Sequence, residues 1–152
     1  MKIGVGISLG IFLLSLSTYA KAANQMKLNA GIVTRNIKES KDFYVNKLGL
    51  KVRFESDWYL LLHTAGKNDS EIAFLLPDHP TQAPVFQSEF GGKGVFLTIE
   101  VPNVDSEYKR LKALGGAIKQ EIKNEEWGDR HFVIVDPNGI GVDFVTHSTP
   151  SK

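Results

Sequence analysis

The chain has 152 residues, with 18 Lys and Arg against 17 Asp and Glu, and no Cys. Its length suits one compact domain, and 42% hydrophobic with 23% charged residues describes a globular chain rather than a disordered one. The missing Cys removes disulfides, thiolate nucleophiles, Cys-ligated zinc and iron–sulfur clusters, and a net charge of +1 without a basic run gives no field for nucleic acid.

At the N-terminus, Lys2 precedes an uncharged run from Ile3 to Ala20 whose centre, Ile7 to Leu14, is the most apolar part. It turns small and polar at Ser15–Thr18 and reaches Ala20-Lys21-Ala22. A basic start, an apolar centre and an A-x-A site are the parts of a secretory signal, so residues 1–22 are expected to be cleaved and the protein exported, to a periplasm or the medium. Cleavage would remove Lys2 and Lys21 and no acid, taking the net charge from +1 to −1. Gly4, Gly6 and Gly10 make the stretch weak as a retained membrane span. Residues 23–26 follow as a tail.

From there the chain reads as two similar halves, 27–76 and 94–147, with a connector at 77–93 and a tail at 148–152. In the first, a strand-like run Leu28–Thr34 leads to Asn36-Ile37-Lys38-Glu39-Ser40 and a helix ending at Leu48-Gly49. In the second, Val95–Val101 leads to Asn103-Val104-Asp105-Ser106-Glu107 and a helix ending at Leu114-Gly115. Asn36 and Asn103 are expected N-caps, Glu39 completes a capping box, and Gly49 and Gly115 stand where a C′ glycine ends a helix. Val104, Tyr108, Leu111 and Leu114 form one apolar stripe. Three strands are predicted after each helix: Leu50–Glu55, Trp58–His63 and Ser70–Leu76, then Ile118–Lys123, Asp129–Val135 and Gly141–Thr146. Turn-rich separators divide them, among them Asp136-Pro137-Asn138-Gly139. The fold class is therefore α+β, with βαβββ occurring twice in one domain. The proline-containing connector is expected to be exposed, with a flap carrying Phe86 and Phe90 as the functional alternative.

The paired pattern resembles the vicinal oxygen chelate superfamily, which includes glyoxalase I, extradiol dioxygenases, fosfomycin-resistance enzymes and bleomycin-binding proteins. The residues that carry it are Ile32 to Ile37 leading into Ser40-Lys41-Asp42-Phe43-Tyr44, then Leu48-Gly49-Leu50. In the second half they are Leu97 to Val101, Arg110 to Gly115, and Trp127-Gly128 followed by Asp136-Pro137-Asn138-Gly139. The resemblance spans about residues 27–147. It implies strands curled into a cup around a ligand site, and a homodimer.

Enzymes of that superfamily hold a divalent metal with two His and one or two Glu from separate strands. The resemblance places Asn29 and Phe96 where His is usual, Asp143 where the last Glu is usual, and the remaining position near Glu71. An amide oxygen is a poor ligand for such metals and Phe is none, so no metal cofactor is expected; if one binds, Glu71 and Asp143 are its candidates. The four His show no local ligand spacing. His63 and His131 lie on predicted strands, His79 in the connector and His147 near the end. No G-x-S-x-G elbow or P-loop is present.

Three functions follow. The first is an exported, metal-free binding protein of the bleomycin-resistance type. In it, Trp58, Phe96 and Trp127 supply apolar surface to a small organic molecule, while Asn29, Glu71 and Asp143 orient its polar groups. The second is a metal-dependent lyase or dioxygenase of the glyoxalase kind, with Glu71, Asp143 and His63 or His131 as displaced ligands. The third is a protein-interaction module. No nucleic-acid partner is expected, and no membrane contact after signal removal.

Overall fold

A computed structural model of the protein describes residues 27–66 and 69–147. The expected signal segment and the C-terminal tail lie outside these described residues.

The first half folds as β1 (Asn29–Val33), α1 (Ile37–Lys41) continuing into a π-helical turn (Asp42–Lys47), then β2 (Lys51–Glu55), β3 (Tyr59–His63) and β4 (Glu71–Leu75). The second folds as β5 (Phe96–Glu100), α2 (Val104–Ala113), β6 (Ile118–Asn124), β7 (Asp129–Val135) and β8 (Gly141–His147). Each half is a four-stranded sheet, ordered β1-β4-β3-β2 and β5-β8-β7-β6. The first strand of each runs parallel to the last, and the hairpins are antiparallel. The two βαβββ modules read from the sequence are therefore present.

Alternation along the strands divides each sheet into two faces. Ile32, Leu60, Leu62, Ile72 and Phe74 point to the helix side of the first sheet, and Phe132, Ile134, Val142 and Phe144 to that of the second. With Tyr44, Val104 and Leu111 they make a single buried cluster shared by both modules. The neighbouring residues, at alternate positions, face away from the helices.

The helix ends differ from expectation in two places. Asn103 caps α2 as expected, accepting from the Ser106 amide at 2.9 Å. Asn36 does not cap α1, so no capping box closes there; its side chain instead donates to the Pro137 carbonyl at 3.3 Å. The competing partner comes from the other module, which sequence spacing does not reveal. The stripe on α2 ends early: Val104 and Leu111 are buried, but Leu114 is half exposed where the helix unwinds. Gly49 and Gly115 do end their helices at positive φ, +82° and +69°. The π-helical turn, a single helix in the sequence reading, accompanies burial of two consecutive aromatic side chains, Phe43 and Tyr44.

The Asp136-Pro137-Asn138-Gly139 turn fastens the modules together. Asp136 is buried and accepts from the Tyr44 hydroxyl at 3.0 Å and from the amides of Asn138 and Ile140 at 2.8 Å. Asn138 reaches Ser40 at 2.9 Å and accepts from Thr34 at 2.6 Å. Burial and the neighbouring Asp136 push the Tyr44 hydroxyl well above the usual tyrosine range. The connector is pinned to the first module rather than loose. The Phe90 amide donates to Val33 at 2.8 Å, and Arg35 pairs with Asp78 and Glu89. Phe90 packs on the core while Phe86 stays exposed.

Candidate functional site

On the face of the first sheet away from the helices, parallel pairing sets Asn29 directly beside Glu71. The sequence reading thus placed two residues that do meet. It did not name the cations that join them. Glu71 is held by Lys27 at 2.8 Å and Arg53 at 2.7 Å, and the same two side chains take Asp69. His63 stands 3.2 Å from Asp69. The Lys27 hydrogen bond holds the Glu71 carboxyl below the usual carboxylate range, with the charges of Lys27 and Arg53 and a bond from Asn29 adding to it against partial burial. Burial first, and then Glu71, push the Tyr59 hydroxyl up.

On the corresponding face of the second sheet, Phe96 lies opposite Gly141 and is 73% exposed. Asp143 lies opposite Thr98 and meets His131 of β7 at 2.9 Å through Nδ1. The other ring nitrogen of His131 is 3.0 Å from Glu125 and from the Gln120 side chain. Partial burial works against the charged ring, but hydrogen bonds to Glu125 and Asp143 outweigh it and raise the His131 pKa. His147 is likewise held between Asp129 at 2.7 Å and Glu100 at 3.4 Å, which raises it. Trp127, 61% exposed, donates its indole N–H to Asp129 at 3.1 Å. When protonated, each imidazole donates to two carboxylates, Asp143 and Glu125 at His131 and Asp129 and Glu100 at His147.

The six expected site residues do not form one group. Asn29 and Glu71 share the first sheet, while Phe96 and Asp143 share the second. Trp58 stacks flat on His79 of the connector, centroids 4.0 Å apart. Phe96 and Trp127 occupy opposite ends of the second sheet, since Phe96 follows the Gly141–Val135 end and Trp127 the Asp129–His147 end.

The donor set does not fit the family's metal. Phe96 offers no donor, Asn29 only an amide, Glu71 is neutralised by two cations, and Asp143 is taken by His131. His131 has both ring nitrogens committed, so it leaves none for a metal. Among the described residues no group of three His, Asp or Glu is arranged to hold one.

A cleft of about 560 Å³ opens between the modules. Its apolar lining includes Leu50 and Ile72 from the first module and Leu97 and Ile99 from the second. Leu97 to Glu100 line it consecutively, because β5 is an edge strand and turns its free edge toward it. Of the six expected residues only Glu71 reaches it. Its volume lies in the range of small-molecule sites.

Residues 26–144 match the model of the glyoxalase/bleomycin resistance protein/dioxygenase superfamily, and the chain belongs to that superfamily. An uncharacterised Mycobacterium bovis protein, Mb0911c, is 27% identical over 82 residues, covering 52% of this chain and 54% of its own. The chain thus spans about half the length of the curated relatives it matches. Among solved structures, the antibiotic-binding protein TnmS3 from Streptomyces sp. CB03234 superposes with a TM-score of 0.62 at 22% identity, covering 83% of this chain and 98% of its own. A lactoylglutathione lyase from Agrobacterium tumefaciens gives 0.64 at 17% identity, covering 80% and 93%. These two likenesses speak to fold. One relative binds and the other catalyses, so the superfamily alone does not select a function.

Proposed function

We propose that this protein binds a small organic molecule in the cleft between its modules and does no metal chemistry. The observation that carries this is the pairing of the family's metal positions with the chain's own groups: Glu71 with Lys27 and Arg53, and Asp143 with His131. Groups satisfied in this way are engaged within the sheets, which leaves recognition to the apolar cleft. The likeness to TnmS3, described as antibiotic-binding, supports a binding role for the fold.

The signal-like pattern of residues 1–22 supports a working location outside the cytoplasm, in a periplasm or the medium. We further propose a homodimer. The outward face of the first sheet carries Lys27, Lys51 and Arg53 against Asp69 and Glu71, and is positive. That of the second carries Glu100, Glu125, Asp129 and Asp143 against Lys123 and two imidazoles, and is negative in either state of the imidazoles. Opposite faces on one chain suit a second copy, and the association should weaken as salt screens it.

The test joins metal loading to a ligand screen. After incubation with Mn²⁺, Ni²⁺ or Zn²⁺ and dialysis, bound metal should be well below one per chain. Thermal-shift hits should persist in EDTA and vanish in Ala30→Trp, which narrows the cleft. Near-stoichiometric metal with turnover of a glutathione hemithioacetal would establish the lyase instead.

A further inference from the structure

Among the described residues the cleft is lined by apolar walls with no Lys, Arg or His, yet two carboxylates reach it, Glu71 and Glu100. They are not equivalent. Glu71 is neutralised by Lys27 and Arg53, whose two charges also answer Asp69. Glu100 has His147 at 3.4 Å, and that imidazole is shared with Asp129 at 2.7 Å. One imidazole cannot cancel two carboxylates in either protonation state, so a negative charge is left in excess at the β5 rim. The Glu100 side chain is also 74% exposed, at the free edge of β5 where the cleft opens.

Resting on the reading of the cleft as the ligand site, we propose that its ligand is an organic cation. The ligand has an apolar body against Leu50, Ile72, Leu97 and Ile99 and one ammonium group at Glu100. A carboxylate or phosphate on the ligand would meet Glu100 with like charge. A neutral ligand would gain only the apolar walls.

Three probes with one body and different ends test this: 3-phenylpropylamine, 3-phenylpropan-1-ol and 3-phenylpropionate, each titrated while amide resonances are followed. The amine should move the Ile72 and Leu97–Glu100 amides and bind at least tenfold more tightly than the alcohol at low salt. The propionate should leave those amides still. Salt should shrink the margin. Glu100→Gln should abolish the margin between amine and alcohol. Equal binding of amine and alcohol in the cleft, or a margin that survives Glu100→Gln, overturns the cation assignment and leaves the ligand site standing. Cleft amides that none of the three probes moves overturn both.

Discussion

Asp136 collects a hydroxyl and two amides in a place with almost no access to water. Removing its carboxylate leaves the Tyr44 hydroxyl and the two backbone amides without that partner and takes one of two acceptors from the Asn138 side-chain amide, and each orphaned donor costs about 1–3 kcal/mol. Asp136→Ala should therefore cost about 3–5 kcal/mol by urea denaturation, while Tyr44→Phe, which deletes only one donor, should cost about 1 kcal/mol. An Asp136→Ala loss no greater than that of Tyr44→Phe would show that the turn is held by packing alone. The sequence marked this turn through its Asp-Pro-Asn-Gly composition, but not its partner. Tyr44 lies 92 positions away, and only the docking of the modules brings it there. The same holds at Glu71. Its pairing with Asn29 follows from strand order, whereas Lys27 and Arg53 read as ordinary surface charges until the sheet face assembles.

Among the elements, the strands were the most legible part of the chain. Apolar runs and turn-rich separators located all eight, including β2, which is exposed along its length. The helices were less so. The stripe on α2 was visible, but the π-helical turn after α1 answers to Phe43 and Tyr44 being buried together, a tertiary demand with no local signal. The turn after α2 gives a sharp comparison. Gly115 sits at φ +69°, and a Cβ added there would meet nothing within 4 Å, so Gly115→Ala should cost about 1 kcal/mol through backbone strain alone. At Gly116 an added Cβ would lie 2.9 Å from the Leu111 carbonyl oxygen, which is backbone and cannot swing aside. Gly116→Ala should be the more damaging of the two in thermal melts, and the reverse order would mean that α2 relaxes freely at its end.

For the molecule as a whole, charge sets a window of stability. His131 and His147 are raised above the ordinary 6.5, so their contribution is full below that pH and is lost as pH rises through the raised values. Glu71 and Glu125 are held below 4.5, and Asp105 and Asp129 below 3.8; their contribution is present above those values and is lost as pH falls. Melting temperature should therefore be highest between pH 4.5 and 6.5 and decline on either side. His131→Gln with His147→Gln should flatten the alkaline decline, and an unchanged slope would show that the imidazole bridges do not stabilise the fold.

The connector carries a consequence of its own. It is tied at Phe90, Asp78 and Glu89 to the first module, while Val85 and Phe86 stand out in solvent between those ties. The modules meet through a common core and the buried turn, so their union does not depend on an unbroken chain. Opened at Val85, the protein would become two complementary peptides, each lacking half a core and each able to recognise the other.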